Sequence, residues 1–458
     1  MPYTYLTLAQ ARTQLAARLY DTSANLFWSD AEKNQYIVES IRVWNALTSF
    51  WRSEFTFQTQ ANVTWYDLTD TANLPNTLRP FTVTDNSLIQ LIEYHLLEPV
   101  TSVYPLTWTG SLQFSLTDIL NAIQRRRDEV LSATGCTITQ RTIAAVPGRT
   151  FLPDTVIDIR RVSWLPVANP AGFTNSPLWP DDQWALQSYE RDYTIQAPGT
   201  PSTYRQSTEP PLSFDTDIPP ALPGQYDLLT VDAGVALSTV AATVLRVPDD
   251  FAWVIKWGAL ADLLGRESNA KDPTRAMYCE MRYRQGLALL LNSPAVLYAR
   301  INNIPLDIDS LQNADNYRPG WQAETAAQPD LMMIAGLNLF GLASIPDAIY
   351  SGTLMVVENA PVPANDAAQI QIGRDDLEAI LDHSQHLAAF KIGGSEFLST
   401  LPLLDRFHKQ AALYNSKLFE LGEFAHPTYE LSQLQQETNP TFTNGADSTA
   451  QAQPAGGS

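Results

Sequence analysis

The sequence predicts an α+β fold. It reads as a helical bundle, built from N-terminal helices and helices near 248–300, with an inserted β-rich domain and a C-terminal α/β extension. Three observations predict it. Apolar residues recur at helical spacing through the first 135 residues and again from Pro248. Between these stretches, short alternating runs are punctuated by Pro-rich turns such as Pro210-Pro211 and Pro219-Pro220. The 31 prolines are spread along the chain, which favours strands and turns over one long bundle. The expected boundaries are 1–135 for the helical part with a strand pair, 136–246 for the β-rich domain, 247–300 for the helices completing the bundle, 301–425 for the extension and 426–458 for an extended tail.

Leu6 to Tyr20 reads as a short helix with Leu8, Ala11, Leu15 and Leu19 on its apolar face and Thr7 as its cap. The organising stretch follows at Phe27 to Phe57. Ser29-Asp30-Ala31-Glu32 is a capping box, in which Ser and Glu each satisfy a free backbone N–H near the other. Ile37, Ile41, Trp44 and Trp51 then form one apolar row, and Tyr36, Val43, Leu47 and Phe50 a second. Two rows are too broad for a lone surface helix, so both sides should be covered, by the chain itself and by a neighbouring copy. Phe55, Phe57, Val63, Trp65 and Leu68 alternate with polar residues and suggest a strand pair.

Thr77 to Tyr104 contains the next helix, ended by Glu98-Pro99, and Ser115 to Thr134 another, stopped by Gly135. Arg125-Arg126-Arg127 lies on the latter and reads as a solvated face near a helix C-terminus. Thr137 to Ile143, Val156 to Trp164, Tyr204 to Phe214 and Tyr226 to Val231 are strand candidates, and Trp179 to Tyr193 a short helix. Helices return at Pro248, with Asp249-Asp250 in a first turn, and at Thr274 to Leu291, which carries Arg275, Arg282 and Arg284. Asn302 to Gln328 reads as loop, Met355 to Ala360 as a strand, and Arg374 to Ala389 and Phe397 to Leu421 as helices. From Gln433 the chain is polar and low in complexity, an expected disordered segment unless a neighbour holds it.

Charge bounds the function. Lys+Arg total 29 against 49 Asp+Glu, a formal net charge of −20. Such a surface repels phosphates, which disfavours broad nucleic-acid binding; it suits a conduit that DNA must pass without sticking, and equally it suits a chain whose acidity only keeps it soluble. Cys136 and Cys279 are expected as buried free thiols made in a reducing compartment. Met1 to Tyr20 lacks the regions of a signal peptide, and no run of about 18 apolar residues predicts a membrane span.

Motifs of chemistry are weak. His383 and His386 form an HxxH pair on a helix, but no second ligand set accompanies them, so ordinary surface or interface histidines are expected rather than a metal site. Lys391-Ile392-Gly393-Gly394 lacks the P-loop spacing, and no GxSxG or GxGxxG occurs. Trp164, Trp179 and Trp184 could line a sugar groove, with core or interface packing the expected reading. No catalytic, cofactor-binding or metal-binding residue is expected.

The order of these pieces carries a resemblance. Thr7-Leu8-Ala9-Gln10 opens one helix, and Phe27-Trp28-Ser29-Asp30-Ala31-Glu32 caps a second that runs past Trp44-Asn45 to Phe50-Trp51-Arg52. Phe151-Leu152-Pro153-Asp154 leads into Ile157-Asp158-Ile159-Arg160-Arg161-Val162, and Trp257 to Leu264 and Asp272-Pro273-Thr274-Arg275-Ala276 give two more helices. This arrangement, over roughly residues 5 to 300, resembles the head-to-tail adaptor (connector, neck) proteins of tailed bacteriophages, although many of those are much shorter. The resemblance implies a structural virion protein made in the host cytoplasm and placed in the virion neck. It implies a ring, typically of twelve copies, that docks under the portal protein, meets tail or nozzle proteins and continues the DNA channel without sequence-specific contact or a membrane. Trp28, Trp44, Trp51, Arg275, Arg282 and Arg284 are the expected contacts with a sister subunit or the portal. Another virion component (tail tube, baseplate or minor capsid protein) and a virion-borne carbohydrate-active enzyme are the alternatives.

Overall fold

The computed structural model describes residues 5–21, 27–97, 113–166, 177–182, 184, 188, 196–207, 212–221, 223–267 and 271–421. The end of the helix expected at Glu98-Pro99, most of the helix expected after Trp179 and the tail from 426 lie outside them. The fold is mixed α+β. Helix α1 (Leu8–Arg18) opens with Thr7, whose side chain accepts from Gln10 N while Gln10 answers. Helix α2 (Asp30–Thr48) opens with the Ser29/Glu32 box. Helix α3 spans Asp85–Leu96, and α4 (Leu116–Thr134) starts with a Ser115/Asp118 box and stops at Gly135, which takes φ +58°. A left-handed turn at that point suits glycine because no Cβ clashes.

Strands β1 (Arg52–Gln58) and β2 (Trp65–Asp67) follow α2 but do not pair with each other. β1 pairs antiparallel with β15 (Ser351–Val357), in register Arg52↔Val357, within the sheet β1-β15-β10-β11 that also holds β10 (Val296–Ile301) and β11 (Ile304–Pro305). β2 pairs with β14 (Leu339–Ala343) in the sheet β12-β13-β14-β2, with β12 at Asp307–Ser310 and β13 at Leu331–Ala335. The expected strand pair is therefore two edge strands in two sheets, each completed by residues nearly 300 positions later.

Between α4 and the later helices lies a seven-stranded sheet of order β3-β9-β5-β6-β7-β8-β4. Its strands are β3 (Ile138–Ala144), β4 (Thr150–Phe151), β5 (Val156–Pro166), β6 (Pro177–Pro180), β7 (Thr203–Gln206), β8 (Ser213–Thr216) and β9 (Gly224–Asp232). Part of this sheet has a core of its own, formed by Val162, Trp164, Phe214, Tyr226 and their neighbours. Gly224 is needed here, because a Cβ would come within 2.5 Å of the Leu165 carbonyl oxygen. Pro177–Pro180 is strand rather than the start of a helix.

Helices α5 (Ala252–Gly265) and α6 (Pro273–Asn292) follow a 3-10 turn at Asp249–Phe251. Asp249 and Asp250 were expected merely to favour a helix start. Instead Asp249 accepts from Thr82 N and Val83 N at 2.6 and 3.0 Å, and Asp250 accepts from Asn45 Nδ2 and Ala360 N at 2.6 and 3.0 Å. Residues 302–328, expected as loop, contain β12, a short helix α7 (Leu311–Tyr317) capped by Ser310, and a 3-10 turn at Trp321–Ala323. Helices α8 (Arg374–Phe390), α9 (Gly394–Leu398) and α10 (Leu401–Glu420) close the described chain.

The segment 301–425 is not a separate extension. One core runs from Leu8 to Ala411, and α8 and α10 lie against α2 within it. The physical reason is the double apolar flank of α2, which the C-terminal helices cover.

Candidate subunit-contact face and buried polar seam

Of the six residues expected to meet a partner, four are consumed inside the subunit. Trp28 is 5% exposed and donates through Nε1 to the Ala388 carbonyl at 3.1 Å. Trp44 is fully covered between the rings of Phe407 and Tyr414, at 5.8 and 6.1 Å. Trp51 is buried, with Phe50 against its ring at 5.0 Å. Arg282 is 2% exposed, donates to His383 Nε2 at 3.2 Å and lies over the Trp253 ring. Arg275 is partly covered and pairs with Asp272 at 2.7 Å beneath Phe390. Only Arg284 is open, its side chain 76% exposed and paired with Glu280 at 2.9 Å. The α2 flank was expected to be covered by the chain itself and by a neighbouring copy; the cover seen is the chain's own C-terminal helices.

The covered flank carries a seam of buried polar groups. Lys256 of α5 donates to both oxygens of Glu39 in α2, at 2.6 and 2.5 Å, and to His95 Nε2 of α3 at 3.2 Å. The second part joins α8 to α2 and α6. Arginine has no acceptor, so His383 Nε2 accepts from Arg282 and its Nδ1–H donates to Ser40 Oγ at 2.9 Å. His386 is fixed likewise: Thr400 Oγ1 donates to Phe397 O, so His386 Nδ1–H donates to Thr400 and Nε2 accepts from the Tyr278 hydroxyl at 2.6 Å. These are fully buried core histidines, not the surface or interface ones expected. Burial, with the nearby arginine charge, pulls His386 down to about 3 and His383 well below the usual imidazole range.

Ser40 and His383 are hydrogen-bonded but are not a nucleophile and its base: His383 is the donor, Ser40 spends its own proton on the Tyr36 carbonyl at 2.8 Å, and both are fully buried. A substrate could not reach that oxygen. Among the described residues no group of three or more His, Cys, Asp or Glu side chains is placed to hold a metal, and no helix is long and apolar enough to cross a membrane. Cys136 and Cys279 are free and buried, and burial raises both thiols out of the reactive range.

The open Arg284 belongs to a charged face shared by α4, α5 and α6. Arg126 donates to Asp262 at 3.0 and 2.6 Å and to Glu280 at 3.0 Å, while its guanidinium lies 4.6 Å from the Tyr283 ring centroid. Gly258 makes room for it, since a Cβ there would meet Arg126 Cδ and Tyr283 at 2.9 Å. Arg125 also reaches Asp262, and Arg266 pairs with Asp118 at 2.6 Å across a shallow cavity of about 550 Å³. The arginine triplet is thus not one solvated face. Arg125 is open, Arg126 is networked, and Arg127 is buried with Nη1 on the Val235 carbonyl at 3.0 Å. Sequence reasoning missed Glu39, Lys256 and His95; the available signal was a charge inside the otherwise apolar runs of α2 and α5.

No protein-family model matches this chain, and no curated protein sequence matches it.

Proposed function

We propose that this chain is a structural virion protein, a head-to-tail adaptor that assembles into a ring between portal and tail and continues the DNA channel. The observation that carries the reading is the charged face of α4, α5 and α6. Copies of a chain with net charge −20 repel one another. On this face Arg125, Arg126, Arg266 and Arg284 balance Asp118, Glu129, Asp262 and Glu280, so its local charge is zero. Two copies can approach here without the general repulsion, and pairs that now close within one subunit can exchange across the contact. Two further features support the reading. The seven-stranded sheet lies in sequence between α4 and α5, which pack on each other, as in a bundle carrying a β excursion. The acidic remainder of the surface suits a wall along which DNA slides.

The test is assembly. The full-length chain, mixed with the portal protein of the same particle, is expected to form a closed ring by light scattering and electron microscopy. The double variant Arg125→Glu, Arg284→Glu is expected to stay monomeric while keeping its circular dichroism spectrum. A wild-type chain that remains monomeric with portal present overturns the proposal, as does a position in the imaged particle away from the neck.

A further inference from the structure

The seven-stranded sheet carries a second, separate feature. On it opens a cleft of about 770 Å³ that the contact face does not include. Its rim bears Trp184, 83% exposed, and Trp179 on nearby β6 is 45% exposed, whereas Trp164 is buried in the core of the same sheet. The three tryptophans expected to share core or interface packing therefore divide. One packs, and two stand open. An indole left in water presents an open apolar plane with a polar N–H at its edge.

The walls facing Trp184 are polar and nearly neutral. The carboxylates are Asp158 of β5, Asp181 and Asp182 after β6, and Asp215 of β8; the cations are Arg149, Arg160 and Arg205. The charges are cross-linked. Asp215 Oδ2 accepts from Arg205 at 2.7 Å with Arg149 Nε 3.7 Å from the same oxygen, and Arg160 Nε lies 3.1 Å from Asp158. Tyr204 is buried in the wall against Phe214, and burial, reinforced by the Asp158 charge, pushes its phenol up to about 12. It stays neutral at all physiological pH values.

This combination selects a ligand class. An anion such as nucleic acid meets four carboxylates. A cation finds Asp158 and Asp215 already held by arginine. An apolar molecule would strip water from charged walls at high cost. A sugar suits every part: each hydroxyl both donates and accepts, which fits fixed Asp–Arg pairs presenting both functions side by side, and the C–H face of a pyranose ring covers an indole plane. We propose that this cleft binds a neutral oligosaccharide, with one sugar ring stacked on Trp184 and its hydroxyls shared between the Arg205–Asp215 and Arg160–Asp158 pairs. No bond is made or broken, so the cleft acts as a binding subsite. It stands on residues other than those of the ring contact, and it survives or fails independently of it.

The experiment uses the full-length chain on an array of neutral and anionic glycans, followed by calorimetric titration of the strongest neutral binder. Retention of at least one neutral oligosaccharide is expected, with affinity falling at least tenfold in Trp184→Ala and severalfold in Asp215→Asn. Lys409→Ala, on α10 and outside both the cleft and the contact face, should bind as wild type. Trp184 is so exposed that its removal leaves the fold intact, and an unchanged circular dichroism spectrum verifies this. Retention of anionic glycans alone, of none, or of a neutral glycan equally well by Trp184→Ala overturns the proposal.

Discussion

The helical layer and the seven-stranded sheet solve burial in different ways. The layer around α2 and α8 encloses ionised and hydrogen-bonded groups: Glu39 with Lys256, and four histidines of which three are hydrogen-bonded by neighbouring helices. The sheet's own core, around Val162, Phe214 and Leu228, holds aliphatic and aromatic side chains, and its buried charges, such as Asp217, Asp232 and Arg161, lie outside that cluster. At one joint Arg161 of β5 forks onto Asp315 of α7 at 2.7 and 2.9 Å, and Trp321 Nε1 donates to the same carboxylate at 2.9 Å. The lesson is about specificity. An apolar sheet core accepts many packings of similar volume, whereas a helix flanked by buried charges fits only the neighbour that completes each pair. The polar groups of α2 thereby select α5, through Glu39 and Lys256, and α8, through Ser40 and His383.

Acid should break this contrast most strongly. His95, His383, His386 and His408 are all buried, and burial holds each folded imidazole below its ordinary value, His386 and His408 at about 3. The stabilisation is therefore complete above the unfolded pKa of about 6.5 and is lost as pH falls from there toward about 3. Asp250, raised to about 6 by burial, and Asp382, also raised by burial, work the other way, gaining stability as they protonate, but they are two groups against four. Each histidine contributes about 1.4 kcal/mol per pH unit in the window, so together they rival a typical stability of about 5–15 kcal/mol within about two units. Hydrogen exchange should show α2, α8 and α10 losing protection near pH 4 to 5 before β5 and β9 do. Loss of both regions at one pH would refute the contrast.

Next in size is Lys256→Met. It leaves the Glu39 carboxylate buried without its cation, which costs about 3–5 kcal/mol and should lower the urea midpoint by that loss divided by the slope m. The double variant Glu39→Gln, Lys256→Met removes both charges and should recover most of the loss. A double variant as unstable as the single one would mean that the pair itself, and not the stranded charge, sets stability.

Asp315→Asn probes the joint and should cost less, about 1–3 kcal/mol, because the amide keeps one acceptor for Arg161 while losing the charge. The expected signature is proteolysis between the sheet and the helices without loss of the Val162–Phe214 core. A fully cooperative transition, with both regions lost together, would show that the sheet does not stand apart.

Local signals were legible in the sequence, and long-range ones were not. The Thr7 and Ser29 caps and the Gly135 stop depend on residues three or four positions apart, so the spacing alone located them, whereas the Ser115/Asp118 box emerged only in the structure. The alternation in Phe55, Phe57 and Trp65 revealed strands and could not reveal partners, because period two tells which face is buried and not by what. The width of the α2 stripe correctly implied two-sided cover, yet nothing local distinguishes a sister helix from α8, over 320 residues away. For the cleft, three tryptophans and several aspartates were visible, but only the strand order separates buried Trp164 from open Trp179 and Trp184.

The smallest effect expected on stability is the one that bears most on assembly. Arg284 sits on a helix surface with its side chain 76% exposed, held only by Glu280 one turn earlier. Such a pair stabilises the folded chain by about 0.3–0.5 kcal/mol, so Arg284→Ala should leave the thermal midpoint within about a degree or two of wild type. At a contact between copies the same arginine would be desolvated, and losing it there leaves Glu280 facing a second acidic subunit, a penalty of about 2–5 kcal/mol. Ring formation with the portal should therefore need a protein concentration at least tenfold higher in Arg284→Ala, at unchanged stability. Equal assembly of the two proteins would remove α6 from the contact and restrict any balanced interface to Arg125, Arg266 and their partners on α4 and α5.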